Sequence, residues 1–342
     1  MRFEKWTSPD TVKNLTIDLV LGNTCNFKCT YCNPWSYSGS EPWLQADPVI
    51  RLADAIKQKM PWKHSRVYNL LGGEPSLMPR LDDMLAGIKA VDPDAKIILT
   101  TNGSRTERYW QHLSQYVDRC VFSVHLAQAD LEQVARNMRA CVEQGTWVVA
   151  NVLMDIEHWQ LGVDTCEHWV LTAYAHRIYA KPVKKTLRLP DLQDYSAEQI
   201  DWLATWQHQR LSEERCRTLV PEPRWFDEDQ YGIYDDESQT WPYGGGHDHM
   251  IALNLNRFSG WQCWIGIDSM LIDVMGRVKG GSACDLGHEY GNFLQSDPFT
   301  WDWTPKPVIC TYDACGCGND LCARKFKDPV QSQLALSDLN TI

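Results

Sequence analysis

The sequence predicts an α/β fold, a partial (β/α)6 barrel followed by a small cysteine-rich unit built on a β-hairpin. Three observations carry that expectation. From about residue 15 to residue 181, short apolar runs alternate with amphipathic helical stretches. Those runs show little internal alternation of polar and apolar residues, as strands of a parallel sheet covered by helices do. From residue 251 onward, glycine turns and cysteines dominate.

The elements follow in order. "LTIDLVL" reads as the first strand, and "DPVIRLADAIKQKM" as a helix with Val49, Leu52, Ala53 and Ile56 on one face. "RVYNLLGG" is a strand ending in glycines, followed by the helix "PRLDDMLAGIKAV". "AKIILTTNG" and "TERYWQHLSQY" form the next pair. "RCVFSVH" leads into "ADLEQVARNMRACVEQG", whose Gly145 suits a helix C-terminus. "WVVANVLMD" and "HRIYAKPV" complete the strands. About six βα units fit, short of the eight of a closed barrel, and an active site is expected at the C-terminal strand ends. A helix capped by Ser196 follows, and residues 217–250, rich in Pro, Gly, Asp and aromatics, read as loop. The boundaries are 13–190 for the core, 191–250 for a linker with a helix, and 251–326 for the cysteine-rich domain.

The totals limit the function classes. A chain of 342 residues, 44% hydrophobic and 23% charged, suits one large domain plus a smaller one. "MRFEKWTSPD" has no apolar signal region, and no stretch approaches the roughly 18 apolar residues of a membrane span. The expectation is a cytoplasmic protein with no membrane partner. The net charge of −11 argues against general affinity for phosphate backbones. "KPVKKTLR", with Lys181, Lys184, Lys185 and Arg188, is the one basic cluster, read as a solvated linker before a clamp. In a reducing compartment the 13 cysteines point to metal rather than disulfides. Cys120, Cys141, Cys166 and Cys216 are scattered and read as small buried hydrophobes.

Cys25, Cys29 and Cys32 stand as C-x3-C-x2-C in "NTCNFKCTYCNPW", directly after the first strand. Three thiolates on one loop can hold three irons of a cubane and leave the fourth open to a small molecule. Zinc is the rival, through the Cys29–Cys32 pair, but no second C-x2-C or H-x3-H follows nearby. "NLLGGEPSL" places Gly72, Gly73, Glu74 and Pro75 after a strand; the glycines permit close backbone approach, and a carboxylate can accept from an ammonium.

C-x3-C-x-aromatic-C, with Tyr31 as the aromatic, and GGEP at the next strand end together resemble the radical S-adenosylmethionine (radical SAM) enzymes over roughly residues 13–182. The resemblance implies a partial TIM-like barrel and a 4Fe–4S cluster on Cys25, Cys29 and Cys32. It implies SAM binding by Tyr31, Gly72, Gly73, Glu74, Pro75, Asn102 of "TTNGS", Ser123 and Arg136. The implied chemistry is one-electron cleavage of SAM to methionine and a 5′-deoxyadenosyl radical that removes a substrate hydrogen. A flavodoxin- or ferredoxin-type donor would supply the electron.

"GWQCWIGIDSMLIDVMGRVKGGSAC" sets Cys263 and Cys284 about a hairpin turning at Gly276, and "VICTYDACGCGNDLC" adds C-x4-C-x-C-x4-C. With "GNFLQSD" between them, this resembles the Twitch or SPASM extension of the family, departing from the seven-cysteine SPASM spacing. Six cysteines are too few for two fully thiolate-ligated cubanes, so one auxiliary 4Fe–4S cluster is expected. Its ligands would be Cys263, Cys284 and two of Cys310, Cys315 and Cys317, with Cys322 the odd member; a zinc knuckle is the alternative. His125 ends a strand where relatives carry Asp in S-x-D-G, and is the candidate acid or base facing substrate, or else a packing residue. Asp155, Glu157 and Lys181 follow later strands, and His247 and His249 lie in a glycine loop.

Relatives with this extension often modify ribosomally made peptides, and many carry a leader-recognition domain that about fifteen residues before the first strand do not accommodate. The chain also resembles compact Twitch-type radical SAM proteins, some phage-encoded. These include isomerases that move a glycyl group on the thymine methyl from nitrogen to carbon attachment. The leading expectation is therefore isomerisation of an amino-acid-modified nucleobase in DNA, in the host cytoplasm if phage-encoded. Peptide maturation and dehydrogenation of a sugar or aminoglycoside are the alternatives. An iron–sulfur or zinc protein used only for binding would have no need of GGEP.

Overall fold

A computed structural model of the chain describes residues 1–5, 14–172, 175–185, 192–206, 230–235, 237–246, 250, 254–282, 284–316, 320–321 and 323–339. A short strand, β1 (Arg2–Lys5), comes first and belongs to a second sheet. Six strands then run parallel in chain order: β2 (Asn14–Val20), β3 (Ser65–Leu71), β4 (Lys96–Thr101), β5 (Arg119–Val124), β6 (Trp147–Met154) and β7 (Arg177–Pro182). They are joined by α1 (Ala46–Lys59), α2 (Leu81–Val91), α3 (Glu107–Leu113), α4 (Leu131–Glu143) and α5 (Trp159–Thr172). This is the α/β core the sequence predicts.

Alternation along the strands decides which face the helices cover. Leu15, Ile17 and Leu19 are fully buried and share one core with Leu52, Ile56, Met84, Ile88, Trp110 and Met138 from the helices. Burying each such side chain contributes about 1.5–3 kcal/mol. The intervening residues look the other way and are polar at many positions: Thr16, Asp18, Asn69, Thr100, Ser123, Asn151 and Lys181. Asp18 accepts from Asn69 Nδ2 at 3.1 Å across the β2–β3 ladder.

After α6 (Ala197–Trp206), the hairpin β8 (Gln230–Asp235) and β9 (Thr240–Gly246) occupies much of the span read as loop. Its prolines and glycines hide a strand pattern that becomes stable by antiparallel pairing with β1, Lys5 opposite Tyr231 and Arg2 opposite Tyr234. With β10 (Gln262–Cys263), it forms a six-stranded sheet that also holds β14 (Val308–Ile309) and β15 (Lys325–Phe326). Phe3, Phe258 and Leu321 are its core, and α7 (Pro329–Leu339) packs Leu336 with Trp264 and Phe326.

The expected hairpin is β11 (Ser269–Ile272) and β12 (Arg277–Gly280), turning at Gly276 with φ +82°. It is not free-standing. β11 pairs parallel with β2, Met270 opposite Ile17, and β13 (Glu289–Asn292) follows β12, so the main sheet has nine strands. Met270, Ile272 and Val278 thereby enter the main core, a burial the hairpin alone would not provide. An ion cluster fastens the two sheets: Asp268 accepts from Lys63 Nζ at 2.6 Å and from Arg324 Nε and Nη2 at 2.9 and 2.8 Å. Among the described residues, no helix is long and apolar enough to cross a membrane.

Candidate active site

Val20 ends β2, and the chain then forms the loop that carries Cys25, Cys29 and Cys32 at the C-terminal end of the parallel strands. Asn23, fully buried, organises it: its Nδ2 donates to Ser38 and Ser40 hydroxyls at 3.0 and 2.9 Å, and its Oδ1 accepts from Glu41 N at 3.0 Å. Cys32 N donates to Cys29 O at 3.0 Å, and Phe27 N donates to Cys25 Sγ at 3.3 Å.

The Gly-Gly-Glu-Pro turn after β3 lies directly under this loop. Gly73 N and Glu74 N donate to Gly22 O and Thr24 O at 3.0 and 2.8 Å. A Cβ at Gly72 would stand 2.3 Å from Gly22 O, and one at Gly73 would stand 2.2 Å from Thr24 O. The glycines therefore serve the close approach of this turn to the cysteine loop. Glu74 is 1% exposed. It accepts from Ser76 N at 3.0 Å, from Thr101 Oγ1 at 2.6 Å and from Asn102 N at 2.6 Å. Its carboxylate thus bolts β3 to β4.

Asn102 completes that corner, with Nδ2 donating to Asn26 Oδ1 at 2.9 Å and 3.8 Å from Cys25 Sγ. Just after β5, Nδ1 of His125 lies 3.3 Å from Cys29 Sγ and 2.9 Å from the Tyr31 hydroxyl. The Tyr31 and His125 rings stack at 5.9 Å, 13° apart. Gln128 Nε2 lies 3.6 Å from Cys29 Sγ, and its Oε1 accepts from Lys28 N at 3.1 Å. Burial pushes the Cys25 thiol up and the Cys29 thiol up to about 11, and lowers His125 to about 4.

Ser123 sits on the inner face of β5 opposite Asn151 of β6. Arg136 does not join the cluster. Gln133 and Asn137 are the α4 residues facing the loop after β4, bonding carbonyls of Ser104, Arg105 and Gly103. Arg136, its side chain 55% exposed, instead lies 3.7 Å from Glu132 and lines a groove between α4 and α5 with Asp164 and His168. The structure gives it no route to a SAM carboxylate at the cysteine loop.

The second cysteine group is drawn from separate segments. Cys263 is in β10, Cys310 follows β14, and β10 and β14 are paired with Cys263 opposite Val308. Cys310 N donates to Trp261 O at 2.9 Å, while Asn256 accepts from Cys315 N with its carbonyl and donates Nδ2 to Cys315 O, both at 2.8 Å. Burial pushes Cys284 up to about 11 and also raises Cys263. Lys325, 1% exposed, donates its ammonium to the carbonyls of Asp320, Leu321 and Ala323 at 2.9, 3.2 and 2.7 Å, over the Phe3 and Phe258 rings. Buried Asp320 accepts from Ser282 N at 2.5 Å beside Cys284. Sequence reasoning missed Asn23, Gln128, Asn256 and Asp320, whose bonds are long-range and leave no local pattern. Cys317, Cys322, Cys216, Arg188, His247 and His249 lie outside the described residues.

Residues 19–154 match the family model described as Radical SAM superfamily. In fold, the chain is similar to "Native anSMEcpe with bound AdoMet", at 14% identity and TM-score 0.54, covering 84% of this chain and 81% of that one. It is similar also to "Native anSMEcpe with bound AdoMet and Cp18Cys peptide", at 14% identity and TM-score 0.52, covering 83% and 78%. The likeness of fold thus extends well beyond the radical SAM segment.

The superfamily implies a 4Fe–4S cluster and SAM, and the donor set fits a cluster. Among the described residues, only Asp155, Glu157 and His158 bring three candidate ligand atoms within 4.8 Å of one another. Cys25, Cys29 and Cys32 are spread more widely than the ~3.8 Å between sulfurs that a tetrahedral zinc imposes. A cubane, with each thiolate on a different iron, spreads its ligands.

Proposed function

We propose that this radical SAM protein uses two iron–sulfur clusters, held near opposite ends of β2, on a substrate that lies along the polar inner face of the sheet. The observation that carries this reading is the loop of Cys25, Cys29 and Cys32, clamped at the C-terminal strand ends by the glycine turn that Glu74 bolts in place. Cys263 precedes Asp268, whose carbonyl accepts from Thr16 N at 2.9 Å, so the second cysteine group belongs to the N-terminal end of the same strand.

When bound, the first cluster and SAM together supply one-electron cleavage of the sulfonium and a 5′-deoxyadenosyl radical. The chain's residues do the rest. Cys25, Cys29 and Cys32 would hold the first cluster and leave it open to SAM, with Gly72–Pro75 and Asn102 beside it. Cys263, Cys284 and two of Cys310, Cys315 and Cys317 would hold the auxiliary cluster, Cys263 and Cys310 being buried. Thr100, Ser123, Asn151 and Lys181 line the inner face and would orient a polar substrate by hydrogen bonds.

The substrate reading we carry forward is an amino-acid-modified thymine in DNA undergoing isomerisation in the cytoplasm, with a flavodoxin- or ferredoxin-type donor. Peptide maturation is the second reading, favoured by the fold likeness to a peptide-bound anSMEcpe. The test is 5′-deoxyadenosine yield from anaerobically reconstituted protein with SAM and dithionite, compared across glycyl-thymine DNA, a peptide panel and no substrate. Stimulation and a rearranged nucleoside with DNA support the first reading; stimulation by peptide alone replaces it with the second. Cys29→Ala is expected to abolish cleavage, and Cys263→Ala to keep uncoupled cleavage while losing product. Continued cleavage by Cys29→Ala would sink the assignment.

A further inference from the structure

His125 stands where the sequence suggests an acid or base for substrate, yet its Nδ1 is engaged inside the protein. The same nitrogen lies 3.3 Å from Cys29 Sγ and 2.9 Å from the Tyr31 hydroxyl. Two members of the C-x3-C-x-aromatic-C motif therefore meet one atom of the residue that follows β5, more than ninety residues away. Phe27 closes the other side, its ring edge-on to His125 at 6.0 Å and 86°. Gln128, one turn further along the chain, places its amide 3.6 Å from the same sulfur.

The sulfur fixes the direction of these bonds. As an iron ligand, Cys29 is a thiolate with no hydrogen to give. A contact between Nδ1 and that sulfur is then a hydrogen bond only if Nδ1 carries the proton and donates it. Nδ1 has one hydrogen, and it lies between that sulfur and the Tyr31 oxygen, while the Tyr31 hydroxyl is itself placed to donate its own hydrogen to Cys29. We propose that His125 is a positioning residue for the SAM-binding cluster, its Nδ1–H shared between Cys29 Sγ and the Tyr31 hydroxyl. This rests on the radical SAM reading of the loop and goes beyond it in assigning the residue that follows β5 to the cluster rather than to substrate.

The consequence is signed. A proton donated to a cluster sulfur stabilises the more negative, reduced cluster and raises its potential. Losing Nδ1–H lowers the potential. A residue that merely fills space would not move it.

The experiment is an EPR-monitored redox titration of reconstituted full-length protein, following the signal that SAM perturbs. His125→Phe keeps a flat ring without Nδ1 and is expected to shift the midpoint potential downward. His125→Asn, whose side-chain amide can stand in for Nδ1–H, is expected to recover part of that shift. If His125→Phe loads no iron, His125→Asn is still expected to shift downward, by less, because its amide is not placed as Nδ1 is. Unchanged potentials in the loaded variants overturn the inference and leave the radical SAM reading standing. A wild-type protein with no SAM-sensitive signal overturns both.

Discussion

Asp268 is the joint most exposed to a single atom's change. Its carboxylate, 8% exposed, accepts from Lys63 Nζ, Arg324 Nε, Arg324 Nη2 and Arg324 N at 2.6, 2.9, 2.8 and 3.0 Å. Burial would raise this carboxyl, but the Arg324 guanidinium and the Lys63 ammonium together hold it well below the usual range. Asp268→Asn keeps the shape and removes the charge, leaving the buried Arg324 guanidinium without its carboxylate and pushing Lys63 further down. Breaking a buried pair in that way costs about 3–5 kcal/mol. Lys63→Met is a different perturbation, since Arg324 still neutralises Asp268 and the methionine fills the lysine stem's place. Burial outweighs the attraction of Asp268 and lowers Lys63 to about 8. The unfolded chain therefore binds one more proton than the native one between about pH 8 and 10.4, and native stability rises with pH across that window by ~3 kcal/mol in total. The assay is the thermal midpoint of the reconstituted protein from pH 7 to 10. At roughly 2 °C per kcal/mol, Asp268→Asn should lower it by about 6–10 °C at pH 7. Lys63→Met should change it little at pH 7 and should remove the relative rise above pH 8. Equal losses in both variants, or no loss in Asp268→Asn, would refute the reasoning.

Three further outcomes are expected. Gly73→Ala would force Thr24 away from β3, because its Cβ would meet Thr24 O at 2.2 Å; iron content at the first site should fall several-fold while far-UV circular dichroism is retained. Glu74→Gln would point an amide donor into a pocket of three converging donors, costing about 3 kcal/mol and lowering SAM affinity, read by thermal midpoint and equilibrium dialysis. Removing iron with a chelator should speed amide exchange at Cys310 and Cys315, whose N–H groups bond Trp261 O and Asn256 O, while β3 and β4 stay protected. Uniform exchange across both sheets would contradict the assignment of the second cysteine group as cluster ligands.

What the sequence reveals is what is local. The six parallel strands are legible as short apolar runs set between amphipathic helices, but their alternation, with Leu15, Ile17 and Leu19 turned to the helices and Thr16 and Asp18 away, exceeds what the sequence reading expects of a covered parallel sheet. The cysteine loop and GGEP are legible because each motif lies within a few residues. The pairing of β11 with β2 is not legible, since nothing within Ser269–Ile272 names Thr16–Leu19 as its neighbour some 250 residues earlier. Arg136 illustrates the same limit on a helix. Its position in α4 is readable, but which face meets the loop after β4 is settled by Gln133 and Asn137 bonding that loop's carbonyls. Glu74 is legible as part of GGEP, but not its internal donors, which come from residues up to 28 positions away.

The nine-stranded sheet gives these pieces a common logic. β2 has the first cysteine loop after its last residue and the Asp268 joint beside Thr16 near its start, and seven residues of strand span roughly 20 Å. On the proposed reading of two clusters, a substrate would be bounded by the first and reach toward the second. The inner face between them is polar on every parallel strand from β2 to β7, with Asp18, Asn69, Thr100, Ser123, Asn151 and Lys181 in turn. The same face also carries an apolar cluster of Ile98, Val121, Trp147, Val149 and Tyr179. A substrate that presents both hydrogen-bonding groups and a flat or apolar surface suits such a face, which is a property shared by a modified nucleobase and a peptide.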